Sequence, residues 1–579
     1  MNLSKADLHP DIHLSVNENR TFRFLLIWVL PILLVAAFGI RVQLAKQPLW
    51  IDELHTAWVI DGDWSEVAHR ARLGNQSPLF FYFEKAMVEV LGFSPLTLRS
   101  IPVIASVMQL AVVFWVLNRW TGASAAGFVG AFLLLVNPLQ LFVGTDARPY
   151  SLIGLVACMQ VGTLVHHWQE AAYERRRDWS FDIVWIVSNV LLFYLHYTTI
   201  FWIAAIWLAL CWLSVTSRPR PSYKQLIRWL AIEPLVIGLF CIPGIYHTVS
   251  LISVSEQWAS FIRIETFWFN VQSIVFVLLI GPLMAVVILQ LLYLIKPRQG
   301  WATTRNLGWA PLLVIIIGGL FIPPTIAAVL TGWNIVPVAF HRYIIASVTA
   351  GFYLPGLIVG IWRWPRVRWM VTALIISIGL AANFDLFSFV WTGRLPQLHV
   401  ENWERVARTI RNQNVGKNYP VVLCPELVED RRLVPELLPS DVQQRRDFQH
   451  YCIFALDGPY RIFDDADENF DNVFARPTDD TSPLSFPRVH KLQDAGGCFV
   501  VVRGNQDNVA RKIAGYIRRV LADGDKYPVK IEEIYSVPVS LYRLEYSDPD
   551  RRPPERQPYR RPPLIPPYDA PPRPKLPVN

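Results

Sequence analysis

The residues best suited to chemistry are the adjacent carboxylates and the histidine of Gln47-Pro-Leu-Trp-Ile-Asp52-Glu53-Leu-His55. A positioned carboxylate can take a proton from a reacting hydroxyl. Three further sets could work with it: Thr145-Asp146-Ala147-Arg148-Pro149-Tyr150, His196-Tyr197, and Phe340-His341-Arg342-Tyr343. Each has an ordinary reading when taken alone. Charged loop residues are usually just solvated, a charge pair before Pro149 suits a helix start, and histidines suit a membrane interface. They become a candidate site only if one membrane face holds them all.

The composition requires a membrane. Hydrophobic residues make up 53% of 579, charged residues only 17%, with 23 Trp and 32 Phe, which is more apolar content than one soluble core needs. The net charge of +8 does not point to nucleic acid, because many of the Arg and Lys fall in short loops between apolar runs and in a Pro-rich tail. About 20 apolar residues cross a bilayer. Eleven segments fit: roughly 22–40, 97–117, 124–142, 149–166, 181–195, 200–215, 228–247, 271–295, 309–330, 343–362 and 368–391. The chain therefore reads as a polytopic α-helical membrane protein. The run 78–91, with Glu84, Lys85 and Glu89, is too short and charged to cross and reads as an interfacial helix in a long first outer loop, 41–96.

With the N-terminal segment 1–21 in the cytoplasm, inner loops carry Arg119, Arg175-Arg176-Arg177, Arg218, Arg220, Lys224, Arg228, Lys296, Arg298, Arg305, Arg363, Arg366 and Arg368. The short outer loops hold only Arg148, Arg263 and Arg342, as the positive-inside rule asks. The first outer loop fits less well, since it holds Arg41, Lys46, Arg70, Arg72 and Lys85. The first span reads as an uncleaved anchor rather than a signal peptide, because its leading region is long and carries acids. Asp52, Asp146, His196 and Arg342 are thereby expected on the extracytoplasmic face of an inner-membrane protein.

Residues 395–546 are polar and are expected to form an extracytoplasmic α/β domain. Its expected strands are 419–424, 451–455, 497–502 and 539–544, with a helix over 508–521. Cys158, Cys211 and Cys241 fall in apolar runs, while Cys424, Cys452 and Cys498 allow at most one internal disulfide. The end of the chain, 547–579, reads as a disordered tail, with 11 Pro in 551–579.

P-L-W-x-D-E in the first outer loop, Q-S-P-L-x-x-Y opening the interfacial helix, D-A-R-P-Y, and H-R-Y opening a late span together resemble the GT-C superfamily of integral-membrane glycosyltransferases. The pattern is similar to protein mannosyltransferase-like members, aminoarabinose transferases and protein O-mannosyltransferases, and it covers most of 20–395. The resemblance implies inverting transfer of a sugar from a polyprenyl-phosphate donor to a protein, lipid or glycan acceptor. It implies Asp52 as catalytic base, with Glu53 orienting it or helping to bind metal or sugar, and Asp146 at the sugar or a divalent metal. Arg342 would bind the donor phosphate, with Arg148 and His341 as further candidates there and His55 and His196 as auxiliary groups. Metal dependence stays open. Where relatives often have a histidine or lysine before the proline, this chain has Gln76-Ser77-Pro78; Arg72 or Lys85 could supply a cation instead, although Lys85 is expected rather to snorkel or to pair with Glu84 or Glu89.

Two other classes remain. A transporter would place charges near the bilayer midplane, whereas the notable in-span acids Glu233 and Asp385 lie nearer the ends. A tethered binding protein built on the outer domain would leave the outer-face set unexplained.

Overall fold

The computed structural model describes residues 24–172, 179–216, 221–255, 310–333, 341–362, 365–382, 390–394, 401–425, 442–463, 471–475, 495–504, 529–535 and 538–546, with a few isolated residues elsewhere and short breaks inside these ranges. The expected span 271–295, the segment 1–21 and the tail 547–579 lie outside the described residues. Two compact units emerge, one from 1–46, 75–80 and 99–398, the other from 47–74, 81–98 and 399–579.

The first unit is helical. Among the described residues five helices are long and apolar enough to cross a membrane: Leu25–Leu44, Ser100–Thr121, Tyr197–Val215, Tyr223–Val249 and Arg342–Gly360. Ser124–Val136, Tyr150–Leu164, Trp179–Leu195 and Gly318–Gly332 are shorter apolar helices at expected spans. Ser100–Thr121 stops at Gly122, whose φ of 60° is the left-handed conformation that closes helix ends. The returning Ser124–Val136 helix then packs on it. At Gly127 an added Cβ would lie 2.6 Å from the Phe114 carbonyl oxygen, so only glycine permits this approach. Polar side chains tie the helices where water is absent: Gln160 donates to Asn189 at 2.8 Å, and Trp202 donates to Gln160 at 2.5 Å.

Arg41, which fits the charge rule poorly, and Arg99 are both structurally committed. Arg41 lies in the Leu30–Leu44 helix, fully buried, and its guanidinium donates to the carbonyls of Ala37 and Leu134 at 3.4 and 3.3 Å. Arg99, also fully buried, donates to the Ala45 carbonyl at 3.0 Å. These residues close helix ends and are not loop charges available for topology.

The second unit carries a five-stranded sheet in the order β2-β1-β3-β5-β4, where β1 is Val421–Cys424, β2 Val473–Ala475, β3 Gly497–Arg503, β4 Val529–Tyr535 and β5 Val539–Tyr546. β1 runs parallel to β2 and β3, and β5 is antiparallel to β3 and β4. The unbroken apolar runs of β1 and β3 suit central strands covered on both faces. Val422, Cys424, Cys498, Val500 and Leu544 meet in their core. All six cysteines are free thiols, so none of Cys424, Cys452 and Cys498 is paired.

One expected strand is wrong. Tyr451-Cys-Ile-Phe-Ala455 lies inside the helix Val442–Asp457, and all five residues are buried. A short apolar run does not distinguish a central strand from a buried helical turn. The described residues of 508–521 are helical, and the expected strand at 539–544 forms within β5.

Candidate active site

The Pro48-Leu49-Trp50 lead is followed by the helix Ile51–Asp61, with Trp50 extended at its N-cap. Asp52 and Glu53 are therefore the second and third helical residues, where the helix dipole favours anions. One residue of helix turns a side chain by about 100°, so the two acids point differently. Glu53 is fully buried, and its Oε2 accepts the Trp50 N–H at 3.3 Å. Asp52 is partly exposed. Glu53 thus closes the helix start, and Asp52 is the acid that solvent can reach.

His55, one turn on, is a packed ring. It is 4% exposed and its centroid lies 4.9 Å from Tyr451 and 6.0 Å from Phe81. A Cβ at Gly74 would come within 2.2 Å of its Nε2, so glycine is required there.

In the same unit, Glu84 of the Leu79–Leu91 helix is fully buried, and among the described residues neither carboxyl oxygen has a hydrogen-bond partner. Burial, and then the charge of Glu53, push it well above the usual carboxylate range. The folded protein keeps a proton that the unfolded chain releases. The stability from this group is therefore full at acid pH and lost as pH rises from the ordinary carboxylate value toward the raised one. Glu84→Gln fixes the neutral form. We expect its melting midpoint to exceed wild type by about 2–4 °C at about pH 8, with little difference at about pH 4. A lower midpoint at the higher pH would contradict this.

Lys85 is not a spare cation. Its Nζ donates to the Ile60 and Gly62 carbonyls at 3.2 and 2.6 Å and lies 3.5 Å from Glu89. Arg72 is exposed.

The first unit gathers the remaining sets. Asn137 caps the Pro138–Val143 helix by accepting the Gln140 N–H, and Gly144 ends it, which leads the chain into Thr145-Asp146-Ala147-Arg148. Asp146 is fully buried, and Arg148 is 4% exposed with Nη1 donating to Gln76 Oε1 at 2.7 Å. Gln76 stands just after Asn75, whose φ of 55° makes the turn toward Pro78. Ser77 donates to the Tyr194 carbonyl. The departure at Gln76-Ser77 therefore places an amide against Arg148.

His196 caps the 3-10 turn Tyr197–Thr199, its Nδ1 lying 2.8 Å from Thr198 Oγ1. Its ring packs 4.7 Å from Tyr343 and 6.3 Å from Tyr150. Burial, followed by the Arg148 charge, holds this imidazole down at about 4, so it is neutral at physiological pH. Arg342, in the turn His341–Ile344, stacks its guanidinium 5.7 Å from the Phe142 ring. The side chain of His341 lies outside the described residues. Arg148, Tyr150, His196 and Tyr343 thus lie together, with Asp146 and Arg342 next to them along the chain, and Asp52, Glu53 and His55 share one helix of the other unit.

A second buried cluster lies in the helical unit. His167, Asp182 and Glu233 place possible ligand atoms within 4.8 Å of one another. Arg228 lies 3.3 Å from Glu233 and 3.7 Å from Asp182, so a cation already balances these acids. The sequence marked Glu233 but not its partners. Glu84 and Gln76 were also missed as partners of site residues, the first hidden by the charged look of its helix.

No family model matches the sequence, and no curated protein matches it. Among solved structures the chain is similar to ArnT from Cupriavidus metallidurans bound to undecaprenyl phosphate, with a TM-score of 0.47, 13% identity, and coverage of 90% of this chain and 98% of that one. It is similar also to the apo state of the same protein, with a TM-score of 0.48, 11% identity, and coverage of 90% and 97%.

Proposed function

We propose that this chain is an integral-membrane glycosyltransferase that moves a sugar from a polyprenyl-phosphate donor to an acceptor on the extracytoplasmic face. The reading rests on this chain's own residues. The observation that carries it is the gathering of Arg148, neutral His196 and Tyr343, the chain neighbour of Arg342, from three distant segments of a unit that holds membrane-length helices.

Asp52 is the base, because Glu53 is buried and engaged in closing the helix. As the acceptor oxygen attacks the anomeric carbon, its proton passes to the Asp52 carboxylate and the bond from that carbon to the phosphate oxygen breaks, inverting the centre. The released polyprenyl phosphate gains negative charge, which Arg342 and Arg148 stabilise through charge-assisted hydrogen bonds. Arg342 offers the planar fork that matches phosphate. Asp146 is assigned to the sugar hydroxyls or to a divalent cation. The N-terminus is assigned to the cytoplasm and the α/β domain to the outer side.

Transport is the second reading, and the buried His167, Asp182, Glu233 and Arg228 cluster is the observation in its favour. The two readings part in vesicles containing the full-length protein and a labelled polyprenyl-phosphate sugar. A transferase moves the label from the lipid to an acceptor. A transporter changes the side on which the label is found and leaves its carrier intact, which would overturn the proposal.

A further inference from the structure

At the N-terminus of the helix that carries Asp52, Glu53 accepts the Trp50 N–H, and the N–H groups of Leu49 and Ile51 on either side of it are met from elsewhere in the chain. A helix start exposes N–H groups that Ser, Thr, Asp or Asn usually satisfy, but the N-cap here is Trp50, which makes no side-chain capping bond. The acceptors for Leu49 and Ile51 come from the C-terminal part of the same unit. Ile51 N–H donates to Glu401 Oε2 at 3.0 Å across 350 residues of sequence, and Leu49 N–H donates to the Tyr460 hydroxyl at 2.8 Å. Glu401 is itself fixed at both oxygens. Trp403 Nε1 donates to Oε2 at 2.8 Å, and Arg503 Nε, at the end of β3, donates to Oε1 at 2.7 Å.

Further along the helix, Trp58 Nε1 donates to His450 Nδ1 at 3.2 Å, which leaves the imidazole proton on Nε2, 3.2 Å from Asp457. The α/β domain therefore grips the helix at its first turn and again two turns on.

We propose that the C-terminal domain positions the base, with Glu401 and Arg503 as positioning residues that act through the start of the Ile51–Asp61 helix. This rests on the functional reading above. The physical reason for using an ion pair and not a serine is electrostatic. Asp52, Glu53 and Glu401 put three carboxyl groups at one helix start, and an uncompensated negative neighbour would raise the proton affinity of Asp52. Arg503 cancels the charge of Glu401 while leaving its hydrogen bond to Ile51 in place.

The two halves of the ion pair then have opposite effects. Arg503→Gln exposes Asp52 to an unbalanced Glu401, so the acid limb of kcat moves to higher pH. Glu401→Gln leaves Arg503 unbalanced, so the limb moves to lower pH. Each shift is expected to be on the order of half a unit. Glu401→Ala removes the acceptor for Ile51. It should lower kcat on the order of 10–100-fold with donor KM little changed, and speed amide exchange over residues 47–56.

The test measures kcat, KM, pH profile and amide exchange for full-length wild type, Asp52→Asn and these three variants in lipid vesicles. Arg503→Lys, which keeps the charge, should restore the wild-type pH limb; if Glu401→Ala does not fold, Tyr460→Phe supplies the exchange readout through Leu49. Opposite shifts with faster exchange support the clamp. If Asp52→Asn abolishes transfer while the charge variants keep the wild-type limb, or shift it in one direction, the clamp is wrong. If Asp52→Asn transfers normally, the functional reading fails, and unchanged exchange in Glu401→Ala or Tyr460→Phe separately overturns the clamp.

Discussion

Asp52→Asn is expected to reduce kcat by about 10²–10⁴-fold, the usual worth of a general base, with donor KM little altered. The substitution is nearly isosteric, and the position is partly exposed at the second residue of its helix, so folding should be unaffected. Glu53→Gln provides the contrast. Its carboxylate closes the helix by accepting the Trp50 N–H, a bond that the amide oxygen can also accept. Its loss should therefore be smaller than that of Asp52→Asn. Equal losses in the two variants would mean that the acids act as one unit, against the division of roles drawn from their exposure.

Arg342→Ala is expected to lower kcat/KM by about 10²–10³-fold, comparable with the loss of one preorganised group at a developing oxyanion. The phosphate carries more charge as the anomeric bond breaks, so kcat should fall as well as donor affinity. Arg342→Lys should recover only part of the loss, because an ammonium keeps the charge without the fork. Steady-state kinetics with a polyprenyl-phosphate sugar check this. A variant that raises KM alone would place Arg342 in donor binding and not in stabilising the leaving group.

Much of the membrane unit was legible because a bilayer imposes length and hydropathy on each span. The helix over 79–91 was legible from its length and its charges. What could not be read were the partners of polar groups. Arg41 looked like a loop cation until its guanidinium was found on the carbonyls of Ala37 and Leu134. Lys85 pairs with Glu89, as its spacing suggested, but its hold on the end of the Ile51–Asp61 helix through the Ile60 and Gly62 carbonyls could not be read.

In the α/β domain β1 and β3 were legible as apolar runs. β2 is only three residues long, and β4 carries Lys530, Glu532 and Glu533, so neither shows a clear strand pattern. The misread strand at 451–455 failed for the complementary reason. Its apolar run was real, but the helix Val442–Asp457 buries it against the helix Ile51–Asp61, a contact between segments almost 400 residues apart.

The candidate site was legible by residue type and hidden in its division of labour. Sequence placed Asp52 and Glu53 together as possible catalysts, and exposure separates them. No local motif indicates that Glu401 accepts the Ile51 N–H, because that acceptor arrives by tertiary folding.

The most direct test of the account is a joint measurement of glycosylated acceptor and free polyprenyl phosphate. It uses the purified full-length protein in lipid vesicles, with labelled polyprenyl-phosphate sugars and envelope-derived acceptors. The account predicts one polyprenyl phosphate released for each sugar transferred by wild type, and neither product above background with Asp52→Asn. Equal transfer by wild type and Asp52→Asn, or no release by wild type from any polyprenyl-phosphate sugar, would contradict it.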